Sequence, residues 1–200
     1  MITLVLAHGA GAGSSHPWMT RVAAGLETRG IQVVTFDFPY IRAGKSIPDR
    51  APVLEAAWRD VWKGVIERAT GPVFAGGKSM GGRMASMVAS RPGVNGFDPP
   101  AAGLVFFGYP LHPPGKPQQR RDAHLPQIRV PMLFLHGTRD NFGSPDEMEA
   151  LVATLPNATL RVCDRGDHSL RAPKKIDPTG QLLEDAMDFA ASWLAAREGL

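Results

Sequence analysis

The chain holds a single cysteine, Cys163, among 200 residues. No internal disulfide, CxxC pair or cysteine-based zinc site can form from it. Long hydrophobic runs are missing too. No segment reaches the roughly 20 apolar residues that cross a bilayer. The opening stretch, Met1-Ile2-Thr3-Leu4-Val5-Leu6-Ala7, is apolar, but no basic residue precedes it and glycines follow at once. That is a poor match to a secretory signal, so a cytoplasmic protein with no membrane partner is expected. Charge of one sign is also scarce. The 22 Lys+Arg against 19 Asp+Glu leave a formal net charge of +3, and the charges are scattered. A nucleic-acid footprint needs a basic cluster, so no nucleic-acid partner is expected. What is present is 44% hydrophobic and 20% charged sequence, a balance that can bury a core. The length fits one domain spanning residues 1–200.

Short apolar runs alternate with longer amphipathic ones. Strands are expected at Ile2–Ala7, Ile31–Phe36, Pro72–Gly76, Gly103–Phe107, Pro131–His136 and Ala158–Cys163. Between them, Met19, Val22, Ala23 and Leu26 fall at helical spacing, with Gly30 as a stop signal. Leu54, Trp58, Val61, Trp62 and Val65 mark a second helix, Met80–Ser90 a third and Pro145–Leu155 a fourth. A last helix carries an apolar stripe of Leu183, Ala186, Met187, Ala190, Trp193 and Leu194. Pro110, Pro113, Pro114 and Pro117 mark a loop after the fourth strand. Strands alternating with helices imply βαβ units. The strands are continuous apolar runs, as strands covered on both faces should be. The expected fold class is α/β: a doubly wound, mainly parallel sheet of about six strands flanked by helices.

The most informative stretch is Gly76-Gly77-Lys78-Ser79-Met80-Gly81-Gly82, which contains G-x-S-x-G between an expected strand and an expected helix. That context is what a nucleophile elbow requires. Gly77 and Gly81 would let strand and helix approach where a Cβ would clash. The turn would lift the Ser79 hydroxyl to a helix N-terminus, where free N–H groups favour an anion. Two phosphate-loop readings fail. A Walker A loop would need glycine at Pro72. A dinucleotide fingerprint at Gly9-Ala10-Gly11-Ala12-Gly13 would need glycine at Ser14.

A serine hydroxyl is a weak nucleophile unless a base takes its proton. On this scaffold the chain order is Ser, then Asp or Glu, then His. Asp140 follows the fifth strand in His136-Gly137-Thr138-Arg139-Asp140, and His168 follows the sixth in Gly166-Asp167-His168. In a parallel sheet those strand ends share one edge, so the three loops can converge. His168 is then the expected general base and acid, suited by an ordinary pKa of about 6.5. Asp140 is expected to orient its ring. Of the other acids, Asp146 reads as a helix cap, Asp164 as a turn residue, and Asp167 adjoins His168 too closely to reach its ring. His8 and His136 read as structural hydrogen-bonders, and His16, His112 and His124 lie in loops. For the oxyanion, one donor is expected at the Met80 amide and a second at Ala10, between the glycines of the loop after the first strand.

Taken together, these residues resemble the α/β-hydrolase superfamily, in its small, lidless, dienelactone-hydrolase-like branch. The phrases His8-Gly9-Ala10-Gly11-Ala12-Gly13, Gly76-Gly77-Lys78-Ser79-Met80-Gly81-Gly82-Arg83 and Gly108-Tyr109-Pro110-Leu111-His112-Pro113-Pro114-Gly115-Lys116-Pro117 look like a bacterial group of small hydrolases. Its eukaryotic relatives include a subunit of a histone-acetyltransferase complex. The resemblance implies an eight-stranded sheet, of which the first two strands are missing from the expected set. Dienelactone hydrolases carry a cysteine in the elbow, where this chain has Ser79, so dienelactone itself is disfavoured as substrate.

The expectation is a serine hydrolase acting on a small-molecule carboxylic ester or related acyl compound, with no metal and no organic cofactor. The alternatives are a hydrolase-fold interaction protein with little activity, or an acyltransferase sharing the same acyl-enzyme. Tyr109 and His112 are expected to wall the substrate pocket. Lys78 is expected to pair with a carboxylate behind the elbow; steering of an acidic substrate is its other reading. Cys163 reads as a small buried hydrophobe. Monomer and homodimer both remain open.

Overall fold

The computed structural model describes residues 1–94 and 102–197. Its elements are β1 (Thr3–Ala7), α1 (Pro17–Glu27), β2 (Gln32–Phe36), α2 (Pro39–Arg42), α3 (Ala51–Ile66), β3 (Val73–Lys78), α4 (Met80–Ala89), β4 (Leu104–Phe107), β5 (Met132–Gly137), α5 (Pro145–Ala153), β6 (Ala158–Cys163) and α6 (Gln181–Ala195). The six strands form one parallel sheet in the order β2-β1-β3-β4-β5-β6. This is the doubly wound arrangement the strand–helix alternation predicts.

Alternation along each strand divides the core in two. Val5, Ala7, Ala75, Phe106 and Phe134 face α3, α4 and α5, where they meet Trp58, Trp62, Met84, Val88 and Met148. Their neighbours Leu4, Leu6, Phe74, Val105, Phe107 and Leu135 face α1 and α6, against Trp18, Val22, Met187 and Trp193. Period-two burial on both faces is why the strands read as unbroken apolar runs.

The sheet order also locates the site. The chain leaves β1 toward β2 on one side and returns to β3 on the other, so the direction of winding reverses between β1 and β3. Ligand crevices form at such a switch point, beyond the C-terminal ends of the strands. The loop after β1 and the turn after β3 both lie there.

The observed β3 runs two residues past the expected end at Gly76. Gly76 and Gly77 stay in register with Val105 and Phe106 of β4, so the glycines belong to the strand. A Cβ on Gly77 would strike the Ala7 carbonyl, and one on Gly81 would lie 2.5 Å from both the Ala7 and His8 carbonyl oxygens. Glycine is therefore required where α4 folds back over β1. Trp58 fastens this corner from below: its Nε1–H donates to the Gly81 carbonyl at 3.0 Å in the core.

Candidate active site

Ser79 sits between β3 and α4 with φ 49° and ψ −117°. A positive φ is uncommon and strained for a side chain with a Cβ. Here the close packing of Gly77 and Gly81 against β1 enforces it. The strain presents the hydroxyl above the sheet edge, and Oγ lies 2.8 Å from Nε2 of His168. The other ring nitrogen, Nδ1, lies 2.8 Å from Oδ2 of Asp140. The structure thus brings the three sequence-expected side chains into one hydrogen-bonded line.

Their loops are held together by backbone bonds. Arg139 N–H donates to the Gly166 carbonyl at 2.8 Å and Thr138 N–H to the Cys163 carbonyl at 3.1 Å, tying the turn after β5 to the turn after β6. Asp140 is 5% exposed, and its Oδ1 accepts from the Phe142 amide at 2.8 Å. The Phe142 ring stacks on His168 at 4.1 Å between centroids, 28° from parallel. Gly108 gives the His168 turn its room. Its φ is +70°, and a Cβ there would come within 2.6 Å of the His168 carbonyl oxygen.

Burial and partners set the charge states. Burial pushes the His168 imidazole below its ordinary value; the Asp140 hydrogen bond pulls it up, and the Lys78 charge adds to the lowering. For Asp140, burial alone would raise the carboxyl. The hydrogen bond and charge of His168 and the Phe142 amide outweigh it, so the carboxyl lies below the usual range. The result at neutral pH is a neutral imidazole held against a carboxylate. That arrangement can accept a proton from a hydroxyl and stabilise the cation that forms.

Ser79 and His168 open onto a cleft of about 520 Å³. Ala10 and Met80 line it together with Ser79, and Trp18, Met19, Pro110 and Phe142 supply apolar walls. His8 fixes the loop that carries Ala10. It is fully buried, its Nε2 accepts from the Phe38 amide at 3.1 Å, and its Nδ1–H donates to the Gly9 carbonyl at 2.8 Å. The Met80 amide belongs to the first turn of α4, where N–H groups have no partner within the helix.

Several other residues lie where sequence alone did not put them. Tyr109 is 1% exposed and packs on Phe106 and Phe134, its hydroxyl donating to the Arg121 carbonyl at 2.7 Å. His112 is 6% exposed and meets Glu147 at 3.2 Å. Both side chains turn into the protein, so the expected pocket wall is made by Pro110 of the same loop and by Arg121. Among the described residues Lys78 has no carboxylate partner within 4.0 Å. Its ammonium donates to the His168 carbonyl and lies 5.6 Å from the centre of the Trp18 ring. Burial pushes it down to about 8. His16 caps α1 by accepting from the Trp18 amide at 3.2 Å and also lines the cleft. Asp167 accepts from the amides of Ser169 and Arg171, shaping the His168 turn. Cys163, by contrast, is buried as expected, and burial pushes its thiol up to about 11.

Arg83, Arg121, Phe142 and Trp18 are cleft residues that motif reading did not assign. Helical spacing could have found Arg83, one turn after Ser79. The other three reach the site only through the tertiary fold.

Fold and site together define an α/β hydrolase. Residues 1–195 match the family described as an α/β hydrolase domain, and the chain belongs to it. An α/β serine hydrolase homologue from Coxiella burnetii superposes with a TM-score of 0.72 at 17% identity, covering 93% of this chain and 83% of that one. A lidless α/β serine hydrolase from Xanthomonas campestris gives 0.68 at 18% identity over 94% and 79%. The protein Est1E from Butyrivibrio proteoclasticus gives 0.69 at 13% identity over 97% and 88%. These likenesses concern the fold. A 38-residue stretch is also 50% identical to a polyketide synthase from Burkholderia thailandensis; it is 19% of this chain but 2% of that protein. Among the described residues no helix is long and apolar enough to cross a membrane.

Proposed function

We propose that this α/β hydrolase cleaves carboxylic esters of small molecules through an acyl-enzyme on Ser79. The observation that carries the reading is the continuous line from Ser79 Oγ to His168 Nε2 and from His168 Nδ1 to Asp140 Oδ2, each step 2.8 Å. As Oγ attacks the ester carbonyl, its proton passes to Nε2. Asp140 holds the ring in the tautomer whose Nε2 is free to accept and steadies the imidazolium. The carbonyl oxygen becomes an anion, received by the amides of Ala10 and Met80, each such donor contributing a factor of about 10²–10³ in rate. The C–O bond to the alcohol then breaks, and His168 returns the proton to that oxygen. Water adds in the same way, with its proton passing through His168, and releases the acid and free Ser79. The scheme calls on no metal or organic cofactor.

The test is a fluorophosphonate probe followed by mass spectrometry. A single adduct on Ser79, absent in Ser79→Ala and strongly reduced in His168→Ala, is expected. No adduct on folded wild-type protein would overturn the reading in favour of a hydrolase-fold interaction protein.

A further inference from the structure

The cleft holds more positive charge than ester hydrolysis uses. Lys78, Arg83 and Arg121 all line it, and no carboxylate does; Asp140 lies behind His168. A guanidinium withdrawn from water ordinarily finds an anion. Neither Arg83 nor Arg121 has a carboxylate within 4.0 Å among the described residues, because the nearby acids are engaged elsewhere. Glu55 pairs with Arg59 and Arg91, Asp122 with Arg120, and Glu147 with His112 and Arg120. Arg83 is the more exceptional of the two. Its Nε is buried with no hydrogen-bond partner, and one terminal nitrogen reaches just the Met87 sulfur at 3.6 Å. Burial, and then the like charge of Arg121, push its guanidinium below the ordinary value. Two like charges lining one cleft repel, and an anion placed between them removes the repulsion.

Hydrogen bonds anchor the backbones of both arginines. The Arg83 amide donates to the Ser79 carbonyl at 3.1 Å, so the two residues stand one helical turn apart on one face of α4. Arg121 is pinned at both backbone groups: its N–H donates to the Leu111 carbonyl at 2.8 Å, and its carbonyl accepts from the Tyr109 hydroxyl. Met19, Pro110 and Phe142 share the lining with the two arginines, and Pro110 offers no N–H. Two guanidinium forks can meet a carboxylate's two oxygens.

We propose that Arg83 and Arg121 form a carboxylate-binding subsite, and that the ester taken by this cleft carries a free carboxylate at the far end of its acyl chain, as a dicarboxylic acid hemiester does. The proposal rests on Ser79 being the nucleophile. Hydrolysis consumes one water and releases the alcohol and the dicarboxylate, while the charged end stays on the arginine pair.

Binding and turnover separate this idea from the one beneath it. In Ser79→Ala, calorimetry with monomethyl adipate and dimethyl adipate should show the monoester bound at least about tenfold more tightly, as charged hydrogen bonds allow. Arg83→Gln and Arg121→Gln, each built on Ser79→Ala, should erase that preference, and Arg83→Lys should restore part of it. The unliganded melting curve of each variant reports on folding, and the half-exposed Arg121 provides the second route if Arg83→Gln fails to fold. In the enzyme with Ser79 intact, kcat/KM for p-nitrophenyl hemiadipate should exceed that for p-nitrophenyl hexanoate, after subtraction of spontaneous hydrolysis. Equal binding of the two adipates, or a preference untouched by both glutamine variants, would overturn the subsite. Displacement of the monoester by inorganic phosphate at lower concentration than by acetate would overturn the carboxylate assignment. Carboxylate-selective binding without turnover of either ester would leave the subsite standing and sink the hydrolase reading.

Discussion

Replacing Asp140 by asparagine separates a carboxylate that sets a tautomer from one that fills space. The side chain makes two hydrogen bonds: Oδ1 accepts from the Phe142 amide at 2.8 Å, and Oδ2 meets His168 Nδ1 at 2.8 Å. A carboxamide has one accepting oxygen and one donating NH₂. With the oxygen kept on the Phe142 amide, the NH₂ faces Nδ1. That nitrogen must then accept, the ring proton moves to Nε2, and Nε2 can no longer take the proton of Ser79. Flipping the amide restores the productive tautomer but sets NH₂ against the Phe142 N–H. A buried donor left so costs about 1–3 kcal/mol, a bias of roughly 5- to 150-fold toward the unproductive form. The charge that steadied the imidazolium is lost as well. We expect Asp140→Asn to lower kcat by about 10³–10⁴, within the range of positioned acid–base catalysis. The assay is kcat on p-nitrophenyl hexanoate together with the rate of fluorophosphonate labelling, with circular dichroism as the folding control. A folded D140N protein labelled within tenfold of the wild-type rate would refute the tautomer argument.

Neutral His168 is the form that accepts a proton, and burial lowers its pKa, so kcat/KM should hold down past pH 6.5, roughly the ordinary imidazole value, and fall below it. Lys78→Met removes a like charge, letting His168 protonate more readily, and the acid limb of the pH–rate profile should move to higher pH; a shift downward would contradict the assigned geometry. The same substitution has a stability signature. Lys78 titrates at about 8 in the fold against its ordinary value of 10.5, so the folded state sheds a proton that the unfolded state keeps between those pH values, and stability from this group rises across that window. Lys78→Met should therefore be favoured over wild type below pH 8 by up to roughly 3 kcal/mol, less the lost carbonyl bond, and chemical denaturation should show the difference shrinking toward pH 10.5. Gly81→Ala would put a methyl 2.5 Å from two carbonyl oxygens; a loss of about 2 kcal/mol or more by thermal melting is expected, accompanied by slower labelling of Ser79. Trp58→Phe leaves the Gly81 carbonyl without its buried donor and should cost about 1–3 kcal/mol by denaturant titration.

Periodicity and turn chemistry carried the strands, the helices and the Ser79–Asp140–His168 order, because each depends on neighbours along the chain. The failures share a cause. The expected β3 stops at Gly76, yet the ladder to β4 continues through Lys78; glycine stands in this strand because β1 and α4 leave no room for a Cβ at Gly77. The four-residue α2 has too little sequence for a period to show. Tyr109 and His112 follow a strand at the right edge, but a loop side chain can turn either way. Partners from elsewhere decide it: the Arg121 carbonyl, 12 residues away, and Glu147, 35 residues away. The Lys78 partner, the His168 carbonyl, is 90 residues distant.

The site is thus assembled by packing more than by the motif that advertises it. Ser79 is held in a strained conformation by an α4–β1 approach that works because Gly77 and Gly81 lack side chains, and because Trp58 of α3 pins the Gly81 carbonyl from the core that α3 and α4 share. His168 is oriented by Asp140, stacked on Phe142, and tied to α1 through the Trp18 Nε1 bond to the Ser169 carbonyl at 2.9 Å. Lys78, the last residue of β3, reaches across to the same turn. Both faces of the sheet therefore bear on one hydroxyl: α3 and α4 set the position of the proposed nucleophile, and α1 helps set that of its proposed base. A substitution in either core should change the labelling rate of Ser79 by more than it changes the melting temperature, wherever it lets these two supports move relative to each other.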